Sequence, residues 1–238
     1  MIDITDLQSK EFAPIDLENK LKNIYLACGI PKKYLFTNLE TDWSINFSPK
    51  GDLTGLSKKR SEITQILISD YLKAIPSIVN GNGLKVKFKN SIKFITDLIL
   101  DGSKSSGKTF LLSVIAQSAV NQGYSVKFVE WSDYVDKFLS FESRSANEDF
   151  FLDCIDVDFL IFDSVMQYDI SNNKFFVLQL DRLISTRLNN GKVTILSIDS
   201  KNSGNPIFGN IWNKFTRETF ALKLPEPELK NEIKSKRP

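Results

Sequence analysis

The chain has 238 residues, of which 42% are apolar, 25% charged and 11% aromatic, an ordinary globular composition that excludes a fibrous or disordered protein. Its 31 basic and 29 acidic residues leave a formal net charge of +2, so any nucleic-acid surface must be local. Histidine is absent, which excludes Ser-His-Asp and Cys-His catalysis and every zinc site built with histidine.

In chain order, the first clear periodicity is at Leu17, Leu21, Ile24 and Tyr25, spaced for a short amphipathic helix that Gly29-Ile30-Pro31 ends. Cys28 and Cys154 are far apart and flanked by apolar residues, and they read as buried free thiols of a reducing compartment. Acidic and polar residues follow Met1, and no run of about 18 apolar residues occurs, so a cytoplasmic protein with no membrane partner is expected. A second helical pattern runs from Glu62 to Ile78, closed by Pro76 and then by Asn80-Gly81-Asn82-Gly83, the best linker candidate. Residues 1–83 are therefore expected as a small, mostly helical N-terminal region, 84–225 as the core and 226–238 as a flexible tail of mixed charge.

From Leu84 onward, apolar runs alternate with helical patterns. The runs are Phe94 to Leu100, Tyr124 to Trp131, Phe159 to Phe162, Val193 to Ile198 and Phe220 to Leu224; the helices lie near 108–122, 132–141, 145–154 and 173–190. Continuous apolar strands between helices predict an α/β fold, a parallel sheet flanked by helices on both faces. Ahead of it, Lys85, Lys87 and Lys89 share one face of a possible strand, with Lys93 and Phe94 just beyond. Lysines beside an aromatic suit single-stranded DNA, the amines following phosphates and the ring stacking on a base. A lysine-faced edge strand that resists aggregation fits the same pattern.

Gly102-Ser103-Lys104-Ser105-Ser106-Gly107-Lys108-Thr109 matches G-x-x-x-x-G-K-[ST], follows an apolar strand and opens an apolar helix, the context a phosphate-binding P-loop needs. Backbone N–H groups of such a loop turn inward around a phosphate, and the helix N-terminus adds partial positive charge. Lys108 is expected to bridge the outer phosphates and Thr109 to ligate Mg²⁺ with its hydroxyl. Phe159-Leu160-Ile161-Phe162-Asp163 supplies four apolar residues ending in a carboxylate, the second Mg²⁺ anchor of a nucleoside triphosphatase. The next residue is Ser164 rather than a second carboxylate, so slow hydrolysis or none is expected.

Gly29-Ile30-Pro31-Lys32-Lys33-Tyr34, the P-loop, the Asp163 strand, Arg187-Leu188-Asn189-Asn190-Gly191-Lys192 and Val193-Thr194-Ile195-Leu196-Ser197-Ile198-Asp199 together resemble the DnaC/DnaI-type replicative helicase loaders and the related IstB-type transposition helper ATPases, both of the AAA+ class. The resemblance implies an AAA+ core that binds ATP, forms a homo-oligomer when ATP-bound, touches single-stranded DNA and escorts a replicative helicase or a transposase. It also makes the N-terminal region partner-binding. Asp199 falls where the family has a sensor asparagine; an ionised aspartate only accepts hydrogen bonds and would repel a γ-phosphate. Arg217 stands near the arginine that the family offers to a neighbouring subunit's nucleotide, a task suited to a permanently charged guanidinium; a surface arginine at a strand entrance fits equally. Arg187 reads as a solvent-facing helix end. ATP then acts as an assembly switch more than as fuel, and a nucleotide-binding scaffold without turnover remains an alternative. A P-loop small-molecule kinase would want a cluster of lid arginines, and none follows Asp163 until Arg182.

Overall fold

The computed structural model describes residues 14–46, 55–88, 91–139, 144–165, 174–199 and 219–225. Helix α1 (Pro14–Ala27) carries the expected apolar spacing and ends just before Gly29, whose φ is +85°. Glycine is needed there twice over: the backbone is left-handed, and a Cβ would stand 2.2 Å from the carbonyl oxygen of Phe128. A single 3₁₀ turn (Lys32–Tyr34) and α2 (Leu39–Asn46) follow, the latter too short and weakly periodic to read as a helix from sequence. The helix expected over 62–78 is in fact two, α3 (Gly55–Lys73) and α4 (Ile75–Val79). Pro76 explains the break, because it has no N–H for the Leu72 carbonyl and its ring crowds that oxygen; the carbonyl accepts from Gln122 Nε2 at 3.2 Å.

The run from Phe94 to Leu100, expected as one strand, is also divided. Strands β1 (Leu84–Phe88) and β2 (Ser91–Ile95) pair as an antiparallel hairpin, and β3 (Asp97–Asp101) belongs to the main sheet. Thr96 separates them, its carbonyl accepting from the buried Tyr71 hydroxyl at 2.6 Å. Apolar content alone does not reveal where a run changes its pairing partner.

After β3 come α5 (Lys108–Asn121), β4 (Val126–Glu130), α6 (Trp131–Leu139), α7 (Arg144–Asp156), β5 (Phe159–Val165), α8 (Lys174–Asn189), β6 (Val193–Ile198) and β7 (Thr219–Lys223). The main sheet is parallel throughout, in the order β4-β5-β6-β3-β7. Successive side chains point to opposite faces. Leu98, Ile161 and Ile195 pack on one side with α5 and with Tyr25, Trp43, Ile68 and Tyr71 of the N-terminal helices. Ile99, Leu160, Phe162 and Leu196 pack on the other with Trp131, Tyr134, Leu180 and Ile184. The N-terminal helices thus bury their apolar faces in the same cluster as α5 and the sheet. Helix α5 is buried on most of its surface, which accounts for its long apolar sequence; truncating its Ile115 to alanine is expected to cost about 2–5 kcal/mol. Both cysteines are free. Among the described residues, no helix is long and apolar enough to cross a membrane.

Candidate nucleotide site

The loop from Gly102 to Gly107 joins the end of β3 to the start of α5. Gly107, with φ +90°, turns the chain into the helix. A Cβ at Gly102 would lie 2.3 Å from Ser106 Oγ and 3.1 Å from Leu224 Cβ, so a side chain there would turn the Ser106 hydroxyl aside and press on Leu224. Ser103 Oγ and Ser106 Oγ are buried without a hydrogen-bond partner, a condition that folded proteins seldom leave uncompensated. Lys108 Nζ donates to the carbonyl oxygens of Gly102 and Ser103 at 2.6 and 2.7 Å. Burial lowers the Lys108 pKa below its ordinary value, against the opposing charges of Asp199, Asp163 and Asp101.

Asp163 lies near the end of β5, 5% exposed. Thr109 Oγ1 donates to its Oδ2 at 2.5 Å and Ser197 Oγ donates to its Oδ1. The same Ser197 oxygen accepts from the Ser164 N–H at 2.7 Å. Two hydroxyls from two different elements therefore fix the carboxylate, and one of them also holds the backbone of the next residue, where the β5–β6 register shifts.

Of these groups, Gly107, Lys108, Thr109 and Ser164 border a cavity of about 790 Å³, within the range of small-ligand sites. It is lined by Lys104, Ser105, Lys108 and Thr109 of the P-loop, by Ser164 and Asp199, and by a wall of Lys33 to Thr37 with Asp42. Among the described residues, the non-glycine positions with positive φ are Phe36 (+58°), Ser105 (+65°) and Ser164 (+58°), and all three line this cavity. Strained backbone concentrates where a site needs a particular shape.

Sequence alone points to Gly102 to Thr109, Asp163 and Asp199, and the fold brings Lys104, Ser105, Gly107, Lys108, Thr109 and Asp199 to one cavity, with Asp163 hydrogen-bonded to Thr109. Three contributors escape it. The Tyr34–Thr37 wall lies on the N-terminal side of residue 83, and nothing in its local pattern points across about 70 residues to the P-loop. Gln117 holds that wall from behind, and Ser197 holds Asp163. A signal for Gln117 existed: with Ser113 it makes an i, i+4 polar pair inside an otherwise apolar helix.

Arg217 and Lys89 lie outside the described residues. In the hairpin, Lys85 pairs with Phe94 and Lys87 with Ile92, so these four side chains share one exposed face. Lys93 pairs with Val86 and therefore projects on the face opposite Lys85 and Lys87. Arg187 also departs from expectation: it is fully buried. Its guanidinium donates to the carbonyls of Cys154, Ile155, Val157, Asp158 and Val193 and to Thr194 Oγ1. Helix periodicity shows one face of a helix, not the acceptors that the end of α7 and the start of β6 bring to it.

The profile of the IstB-like ATP binding proteins matches residues 83–210, more than half of the chain. The chain belongs to the IstB-like ATP-binding family. A search of curated proteins finds no match. Among solved structures, the DnaC helicase loader aligns over 82% of this chain and 99% of its own, with a TM-score of 0.57 at 19% identity. DnaI aligns over 83% and 92%, with a TM-score of 0.50 at 14% identity. The replication initiator DnaA bound to AMPPCP and single-stranded DNA aligns over 82% of this chain and 50% of its own, with a TM-score of 0.55 at 17% identity; this member of the IstB-like family spans half of that structure. At such identities the likeness is one of fold, a P-loop fold with a parallel sheet flanked by helices, as the strand, loop and helix order leads one to expect.

Proposed function

We propose that the chain binds ATP with Mg²⁺ in the cavity between the P-loop and the Tyr34–Thr37 wall, and that the bound nucleotide switches its assembly as a loader of a ring helicase onto single-stranded DNA. The observation that carries the reading is the convergence of Lys108, Thr109, Ser164 and Asp199 on one cavity, with Asp163 bonded to Thr109. The orphaned hydroxyls of Ser103 and Ser106, the left-handed turn at Gly107 and the lysine at the helix start suit a polyphosphate. The Thr109 hydroxyl and the Asp163 carboxylate are hard oxygen donors of the kind Mg²⁺ prefers. Bound Mg²⁺ would neutralise part of the phosphate charge. The chain's own part is to hold: Lys108 moves from two loop carbonyls to phosphate oxygens, and Ser197 keeps Asp163 turned toward Thr109.

Hydrolysis has weak support. Ser164 stands after Asp163, its N–H tied to Ser197, and it cannot serve as a base unaided. Asp199 borders the cavity as an acceptor-only group. Turnover with DNA present is therefore expected below about 1 s⁻¹, at or under the low end of ordinary enzymes. No arginine lines the cavity among the described residues, which disfavours a small-molecule kinase.

Loading of a replicative helicase is supported by alignment with 99% of the solved chain of the DnaC helicase loader. A transposition helper is the second reading, favoured by the IstB-like profile. Single-stranded DNA is proposed to contact the exposed hairpin face through Lys85 and Lys87, with Lys89 and Lys93 nearby in sequence, and Arg217 to reach a neighbouring copy's nucleotide in an ATP-bound homo-oligomer. Affinity capture with a non-hydrolysable ATP analogue distinguishes the readings: a replicative helicase is expected, a transposase would support the second reading, and capture equal without nucleotide would overturn the switch.

A further inference from the structure

The Tyr34–Thr37 wall has no regular structure beyond one 3₁₀ turn, yet it is held at three points by one side chain from the P-loop helix. Gln117, 5% exposed, accepts from the Phe36 N–H at 2.6 Å through Oε1. Its Nε2 donates to the Tyr34 carbonyl at 2.8 Å, to Thr37 Oγ1 at 2.9 Å and to the Ser113 carbonyl within its own helix at 3.0 Å. One N–H donor on the oxygen side and two carbonyl acceptors on the nitrogen side fix the amide's orientation. The residue whose N–H it captures, Phe36, has φ +58°, a conformation that a bulky side chain keeps only when its surroundings impose it. Phe36 also meets Tyr25 edge-on, with ring centroids 5.5 Å apart. One turn before Gln117, Ser113 Oγ donates to the Thr109 carbonyl at 2.7 Å, so the same polar ridge runs from the phosphate end of α5 to the wall.

We infer that Gln117 is a positioning residue for nucleotide binding: it fixes the wall against which the nucleoside packs, at a set distance from the phosphate loop. The inference rests on the ATP-binding reading above and concerns which part of the ligand the residue serves. Among the described residues, Gln117 makes its side-chain hydrogen bonds to the wall and to its own helix. Its removal therefore weakens recognition of the nucleoside and spares recognition of the phosphates.

The test compares MgATP with magnesium tripolyphosphate, by calorimetric titration on the full chain and on Gln117→Ala and Gln117→Leu. For the native chain, ATP is expected to bind more tightly than tripolyphosphate. In both variants the ATP affinity is expected to fall by about tenfold, the effect of losing one or two net hydrogen bonds, with tripolyphosphate affinity unchanged. Leucine fills the amide's space without its bonds, so a leucine variant that keeps full ATP affinity would show that volume matters and not the bonds, overturning the proposal. Equal loss for both ligands would make Gln117 a support of the helix core and overturn it too. A native chain that binds neither ligand would instead sink the ATP-binding reading itself.

Discussion

The two ends of the parallel sheet carry similar polar groups and put them to different use. At the amino ends of β5 and β6, Arg187 gives its donors to five carbonyls and one hydroxyl. Asp97 Oδ1 accepts from the Thr194 N–H at 2.6 Å, and Asp158 bonds Ser125 and Lys192. At the carboxyl ends, Lys108, Thr109, Asp199 and Ser164 face a cavity, and two loop hydroxyls are buried without partners. Saturated polar groups hold a fold together, whereas polar groups that converge on open space leave capacity for a ligand. Open α/β sheets bind ligands beyond the carboxyl ends of their strands, and the cavity of this sheet lies at that end.

The largest effect that would break the comparison is on stability at the amino end. Arg187→Met leaves several buried carbonyls without donors and is expected to cost about 3 kcal/mol or more, measured by denaturant unfolding. A cost below about 0.5 kcal/mol would return Arg187 to the surface role read from sequence. At the other end, Lys108→Ala should change stability little and weaken MgATP binding by about 1.5–3 kcal/mol, the scale of hydrogen bonds to a charged group. Unchanged binding would contradict the P-loop assignment.

Acid and alkali should separate the ends further. A phosphate near Lys108 opposes the burial that lowers its pKa, so the nucleotide binds with proton uptake at high pH. ATP affinity is therefore expected to fall as pH rises through the lowered Lys108 pKa, below its ordinary 10.5. For Asp158, burial raises the pKa but hydrogen bonds from Lys192 and Ser125 outweigh it, so the folded pKa is lowered. Its stabilisation is present above the unfolded carboxylate pKa and disappears as pH falls through the folded one. Asp158→Asn should cost about 1 kcal/mol or less at neutral pH, since the pair with Lys192 is partly exposed, and the difference should close in acid.

The smallest expected effect concerns the hairpin. Replacing Lys85 and Lys87 by alanine should reduce the slope of single-stranded DNA affinity against salt by about 1.4, which is about 0.7 for each phosphate that its lysine no longer neutralises. Lys93→Ala, on the opposite face, should lower it less. An equal effect would mean that the face assignment does not govern binding.

Much of this division was legible from the order of residues. The P-loop and the Asp163 strand are local patterns, and their spacing places them together in any parallel sheet of this kind. The carboxyl-end site was visible for that reason. The amino end was not, because Arg187 draws its meaning from carbonyls more than 25 residues away in sequence that only the folded chain assembles. The breaks at Thr96 and Ala74 were hidden for a related reason: apolar runs and helical spacing persist across them, and the change lies in pairing and in proline's missing donor. Ser197 and the Tyr34–Thr37 wall likewise act through contacts between distant segments.

Titration of ATP with and without Mg²⁺, on the native chain and on Asp163→Asn, tests most directly whether a triphosphate and its cation lie between the P-loop and β5. We expect Mg²⁺ to strengthen ATP binding to the native chain and to have little effect on the variant. Equal dependence on Mg²⁺ in the two proteins, or no ATP binding to either, would contradict it.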